Sequence, residues 1–150
     1  MTKVKGLLVM DVDSTLIQEE GIDLLGEEAG VGEKIADITA RAMNGELDFK
    51  QALDERVSLL KGLPESIFEQ VLERMHFTKG AEKLVAELHR RGYKVGVVSG
   101  GFHETVDVLA KRLGLDYVKA NRLEVTEGVL TGYCLLCQAY CATRSTLSDQ

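Results

Sequence analysis

The stretch Gly6-Leu7-Leu8-Val9-Met10 is apolar throughout and runs directly into Asp11-Val12-Asp13-Ser14-Thr15. A continuous apolar run this short, ending at an acidic turn, fits a strand buried on both faces, as in a parallel sheet. A second run, Tyr93-Lys94-Val95-Gly96-Val97-Val98, ends at Ser99-Gly100-Gly101. Ahead of it, Ala81, Leu84, Val85 and Leu88 mark one face of a helix closed by Gly92. Behind it, Phe102, Val106, Leu109, Ala110 and Leu113 mark another, closed by Gly114. Strand, helix, strand, helix predicts an α/β fold.

The spacing of the two strands carries a second constraint. A βαβ unit needs roughly 30 residues or a little more, yet about 80 separate Asp11 from Tyr93. The surplus, residues 17–75, has helical periodicity: Ile35, Ile38, Thr39 and Ala42; Leu53, Val57 and Leu60; Ile67, Val71 and Met75. Gly45, Gly62 and Pro64 punctuate it. A helical insertion placed directly after the first strand lies over that strand's C-terminal end, where open α/β sheets bind ligands. The expected organisation is therefore a discontinuous core, 1–16 and 76–132, under a helical cap, 17–75, followed by an atypical tail, 133–150.

A length of 150 residues suffices for one well-formed core. With 18 Lys+Arg against 24 Asp+Glu the chain carries −6, the wrong sign for a general nucleic-acid binder. No apolar run approaches the ~20 residues that span a bilayer. The N-terminus leads into the first strand without a signal-peptide cleavage site, so a soluble, cytoplasmic protein is expected.

Chemistry concentrates at the two strand ends. Asp11 and Asp13 repel if both ionise, so either one holds a proton as an acid or a cation lies between them. Ser99-Gly100-Gly101, read as opening a helix, offers backbone N–H groups to an anion; the same residues would also serve as a plain turn with Ser99 as N-cap. Paired acids facing an anion nest describe phosphoryl transfer.

Asp11-x-Asp13-x-Thr15 after one strand and Ser99-Gly-Gly-Phe102 after the other resemble the first two motifs of the haloacid dehalogenase-like hydrolases. Met43-x-Gly45-x-Leu47-x-Phe49, Arg56-Val57-x-Leu59-Leu60, Ala120-Asn121-Arg122-Leu123-Glu124-Val125 and Leu130-Thr131-Gly132 are similar to the branch of that family that hydrolyses O-phospho-L-serine in serine biosynthesis. The resemblance implies a Rossmann-like parallel sheet with helices on both faces, incomplete here, plus the inserted cap. It implies Asp11 as nucleophile, giving an aspartyl-phosphate, and Asp13 as general acid and then base. Mg²⁺ would be ligated by the Asp11 carboxylate and the Asp13 backbone carbonyl. Ser99 and the Gly100 N–H would hold phosphoryl oxygens. Glu20 would meet the substrate ammonium and Arg56 its carboxylate, with Met43 and Phe49 as apolar wall. Read without the resemblance, Glu20 and Arg56 are more simply surface charges, and Met43 and Phe49 more simply core residues. A phosphatase or phosphotransferase for another small phosphoester is the neighbouring reading.

The resemblance covers residues 4–132 and stops at Gly132. Downstream the family carries a lysine and a Gly-Asp-Gly-x-x-Asp-type motif whose first Asp completes the Mg²⁺ site. This chain has no lysine after Lys119 and no such motif. Removing one electrostatic donor typically costs about 10²–10³ in rate, so losses of ~10⁴ or more are expected here. That implies a second candidate function: a remnant that binds phosphoserine or Mg²⁺ without turnover. The family's first strand is central. With the later strands missing, Leu7 to Met10 would form an apolar edge and a site of self-association.

The last 18 residues hold two charged residues, Arg144 and Asp149, against 40 in the first 132, and all three cysteines. Such a break in composition is expected of out-of-frame translation of a longer gene. Cys134, Cys137 and Cys141 have no fourth ligand nearby, and structural zinc sites want four; they are expected as free thiols. Arg144 has neighbours that do not match the family's lysine, and His76, His89 and His103 receive no role.

Overall fold

The computed structural model describes residues 3–135. Strand β1 (Gly6–Met10) is followed by four helices, α1 (Gly21–Glu28), α2 (Gly32–Met43), α3 (Phe49–Ser58) and α4 (Ile67–Glu73). Then come α5 (Ala81–Arg90), β2 (Tyr93–Phe102), α6 (His103–Leu113), β3 (Tyr117–Asn121) and a hairpin of β4 (Leu123–Thr126) and β5 (Val129–Cys134). β1, β2 and β3 form a parallel sheet in that order, with Leu8 beside Val95 and Val97 beside Val118. This is the expected α/β fold, and the surplus between the strands is helical.

The helices form for local reasons. Asp48 opens α3 with a capping box, its side chain accepting from Gln51 N–H while the Gln51 side chain accepts from Asp48 N–H. α6 ends on Gly114 at φ 70°, the left-handed cap that glycine adopts without penalty. Apolar residues from the helices, sheet and hairpin join in one cluster running from Val12 and Leu25 through Leu53, Val57 and Val71 to Val97, Phe102 and Leu130.

Two connections carry the chain between sheet and helices, and they pair with each other. Ile17 bridges Phe77, Gln18 N–H donates to His76 O at 2.9 Å, and Thr78 N–H donates to Leu16 O at 2.8 Å. The β4–β5 hairpin turns through Glu127 and Gly128, at φ 53° and 76°. It is stitched to the loop after α3: Gly62 N–H donates to Leu130 O at 2.8 Å and Leu130 N–H to Leu63 O at 2.9 Å. The hairpin thus packs on the helical layer, with β5 against α3.

Three local expectations need correction. β1 is not buried on both faces: Leu7, Leu8 and Val9 are 55%, 37% and 50% exposed, because β1 pairs with β2 alone among the described residues. Leu84 is exposed although it shares the periodicity of buried Ala81 and Val85. Ser99-Gly100-Gly101 does not open a helix; β2 runs to Phe102 through an irregular register, and α6 begins at His103. Cys137, Cys141 and Arg144 lie outside the described residues.

Candidate active site

Asp11 leaves the C-terminal end of β1, and its Oδ1 accepts from Val12 N–H at 2.8 Å. Val12 is buried, so the chain turns at once and carries Asp13 under the start of α1. There Asp13 Oδ1 accepts from Gly21 N–H, in the first turn of the helix, at 3.1 Å. Ser14 closes the turn in the left-handed region at φ 54° and donates its hydroxyl to Glu20 Oε1 at 2.6 Å. Strand end, turn and helix start thereby place Asp11, Asp13 and Glu20 together.

Burial pushes the Asp13 carboxyl up to about 6; the Gly21 N–H opposes this, the charges of Glu20 and Asp11 add to it, and the Ser99 hydroxyl opposes it. A carboxyl raised this far takes up a proton closer to neutrality than an ordinary aspartate does. The glycine turn is shaped by the same group: a side chain on Gly101 would put its Cβ 3.0 Å from Asp13 Oδ2 and 3.1 Å from Ser99 Oγ. Ser99 itself is buried, accepting from Gly101 N–H at 2.9 Å. Gly100 is held from behind by Asn121, whose Nδ2 donates to Gly100 O at 3.0 Å.

From the helices, Phe49 reaches across so that its ring lies 3.3 Å from where a Gly100 Cβ would stand. Arg56 is tethered twice, Nε donating to Ala52 O at 3.1 Å and Nη1 to Thr39 Oγ1 at 3.4 Å. Thr39 accepts because its own hydroxyl donates to Ile35 O at 3.0 Å. Burial lowers the Arg56 pKa against the pull of Asp23 and Glu20, and burial raises Asp23, with Glu20 adding to it.

These groups enclose a cleft of about 300 Å³ lined by Asp11, Asp13, Glu20, Phe49, Arg56 and Gly100, with Ile22, Leu53, Gly101 and Phe102. Six of the residues singled out in the sequence therefore meet in one place. Ser99 lies behind the lining. Met43 does not join it: it is 83% exposed and lines a separate groove with Asp23 and Thr39. Sequence reasoning missed Asp23 and Thr39. Asp23 stands three residues after Glu20, a spacing that signals a shared helix face; Thr39 is tied to Arg56 by tertiary contact alone.

The cleft sets three carboxylates against one guanidinium. A dianionic phosphate would enter such a field only with a compensating cation. Asp11 and Asp13 supply the hard oxygen ligands that Mg²⁺ takes, typically one or two carboxylates with water and substrate oxygens completing the shell. Among the described residues no group of three His, Cys, Asp or Glu is placed to hold a metal.

Fold and cleft define an α/β protein with two acids just past the C-terminal end of β1. The chain belongs to the haloacid dehalogenase-like hydrolases, whose family model matches residues 8–148. It is 74% identical over 132 residues to a phosphoserine phosphatase of Streptococcus thermophilus, covering 88% of this chain and 61% of that protein. Two solved structures also match. A phospho-aspartyl intermediate analogue of phosphoserine phosphatase does so at 50% identity, and a substrate-bound phosphoserine phosphatase complex at 48%. Both give a TM-score of 0.80, covering 89% of this chain and 63% of the other. The chain thus spans about three fifths of the length of these relatives. Among the described residues, no helix is long and apolar enough to cross a membrane.

Proposed function

We propose that this chain is a phosphoric monoester hydrolase acting on O-phospho-L-serine. The observation that carries the reading is Asp13, a carboxyl held near pKa 6 beside the exposed Asp11 in one cleft. An acid poised near neutrality can give a proton to a leaving group and take one back from water. Glu20 and Arg56, of opposite charge in the same cleft, match the ammonium and carboxylate of an amino acid. The likeness to a substrate-bound phosphoserine phosphatase supports that substrate.

In this reading an Asp11 carboxylate oxygen attacks phosphorus, the P–O bond to serine breaks, and Asp13 delivers its proton to the departing serine oxygen. Asp13, now a carboxylate, takes a proton from water as the water oxygen attacks phosphorus. The acyl-phosphate P–O bond then breaks and Asp11 is restored. The likeness to a phospho-aspartyl intermediate analogue supports this course. Mg²⁺, held by Asp11 and the Asp13 carbonyl, would supply neutralisation of phosphate charge. Gly100 leaves the backbone open for a phosphoryl group, and Phe49 covers the cleft from the helical side.

The test is phosphate release from O-phospho-L-serine by the 150-residue chain with Mg²⁺, beside Asp11→Asn. Release above the control is expected. Arg56→Ala should raise KM for phosphoserine far more than for p-nitrophenyl phosphate; equal effects would remove the substrate assignment. One observation favours a second reading: Arg56 is the sole cation lining the cleft among the described residues. Calorimetric binding of phosphoserine with release no higher than the control would assign the chain as a binder without turnover.

A further inference from the structure

Between Val98, beside Lys119, and Phe102, beside Asn121, β2 carries Ser99, Gly100 and Gly101 against the single Ala120 of β3. Extra residues in one strand disrupt the ladder locally, and buried backbone groups then take partners elsewhere. Two side chains supply them here. Asn121 Nδ2 donates to Gly100 O at 3.0 Å, and Gly101 N–H donates to Ser99 Oγ at 2.9 Å. Gly100 O and Gly101 N–H belong to one peptide unit, so that unit is held at both ends. Both holding side chains are buried.

Asn121 is itself braced. Ala120 N–H, just before it, donates to His103 Nε2 at 3.3 Å, and Leu123 N–H, just after it, donates to Glu104 Oε1 at 3.2 Å. Both acceptors stand in the first turn of α6, directly behind the glycine segment. His103 Nδ1 is paired in turn with Asp107 Oδ1 at 2.7 Å. The start of α6 thus fixes the β3–β4 junction, and Asn121 reaches back from that junction to Gly100. Space explains the glycines: a Cβ would stand 3.3 Å from the Phe49 ring at position 100 and 3.0 Å from Asp13 Oδ2 at position 101. Glycine also leaves the backbone its widest freedom, and the two hydrogen bonds remove it.

We propose that Asn121 is a positioning residue: with Ser99 it fixes the Gly100–Gly101 peptide, and thereby the direction in which the adjoining Gly100 N–H meets a phosphoryl oxygen. The phosphoryl part of this role rests on the proposed hydrolase function, the clamp on the two hydrogen bonds alone. Asn121 does not line the cleft and acts through Gly100, which does.

Amide hydrogen exchange of the isotopically labelled full chain reads the clamp directly. Asn121→Leu leaves Gly100 O without its donor, and exchange at Gly101 should rise roughly five- to tenfold, the worth of one hydrogen bond. Core amides at Val106 and Leu109 should keep their wild-type rates. Inorganic phosphate with Mg²⁺, followed at the Gly100 amide, should bind roughly fivefold more weakly. O-phospho-L-serine should lose the same factor, because Glu20 and Arg56 are untouched. Where circular dichroism shows Asn121→Leu unfolded, Asn121→Asp carries the same test with a side chain of the same size and no amide donor. Unchanged exchange at Gly101 would overturn the clamp, and so would a rise shared by Val106 and Leu109, which marks general loosening. Undiminished phosphate binding would overturn the positioning of Gly100. A wild-type chain whose Gly100 amide responds to neither ligand would overturn the hydrolase function and the phosphoryl role with it, while exchange at Gly101 would still decide the clamp.

Discussion

At Asp13, burial and function pull against stability. Its folded-state pKa is raised to about 6 from an ordinary 3.8. Between those values the folded state binds the proton more tightly, so the group's contribution to stability falls as pH rises and is most unfavourable above 6. Asn retains an acceptor for the Gly21 N–H and carries no charge to desolvate. Asp13→Asn should therefore stabilise the chain at pH 8 by about 2 kcal/mol and make little difference below pH 4. Urea unfolding at the two pH values measures this; an equal gain at both would remove burial of the charge as its cause. The identity of the acid pair was legible in the sequence because a strand exit is a local feature. That the Asp13 carboxyl is raised was not, since it depends on α1, Glu20 and Ser99 closing around it.

At the scale of elements, periodicity located α2 to α6 but not α1, and the apolar runs located β1 and β2, because helix and strand formation respond to neighbours a few residues away. It failed where a distant contact decides. Ser99-Gly100-Gly101 looked like a helix entrance, yet pairing with β3 on either side, at Val98 and Phe102, and packing against Phe49 and Asp13 keep it in the strand. Met43 and Phe49 looked alike, yet only Phe49, at the head of α3, reaches Gly100. The β4–β5 turn offers a test at this scale. Glu127 adopts φ 53°, where its Cβ is crowded, ahead of Gly128 at 76°, the geometry for which Asn-Gly is preferred. Glu127→Asn should raise stability by about 0.5–1 kcal/mol, read as a shifted urea midpoint with unchanged slope.

For the whole molecule, the helical layer, the sheet and the hairpin share one core, so a ligand on the cleft acts on global stability. Mg²⁺ at 10 mM, bound with a Kd of about 1 mM, should stabilise the fold by about 1.4 kcal/mol, and Asp11→Asn should abolish the shift in a thermal melt. A shift that survives Asp11→Asn would place the ion elsewhere on this acidic surface.

By itself the sequence determined the α/β class, the helical stretch between the strands and the acid pair Asp11 and Asp13 at a strand exit, because those rest on residue type and short-range spacing. The tertiary structure alone decided that Thr39 anchors Arg56, that the hairpin docks on residues 62–65 and that burial raises the Asp13 carboxyl to about 6. Each of these arises from groups distant in sequence displacing water from one another. An apolar run such as Gly6–Met10 reads the same whether or not a neighbouring strand is there to cover it.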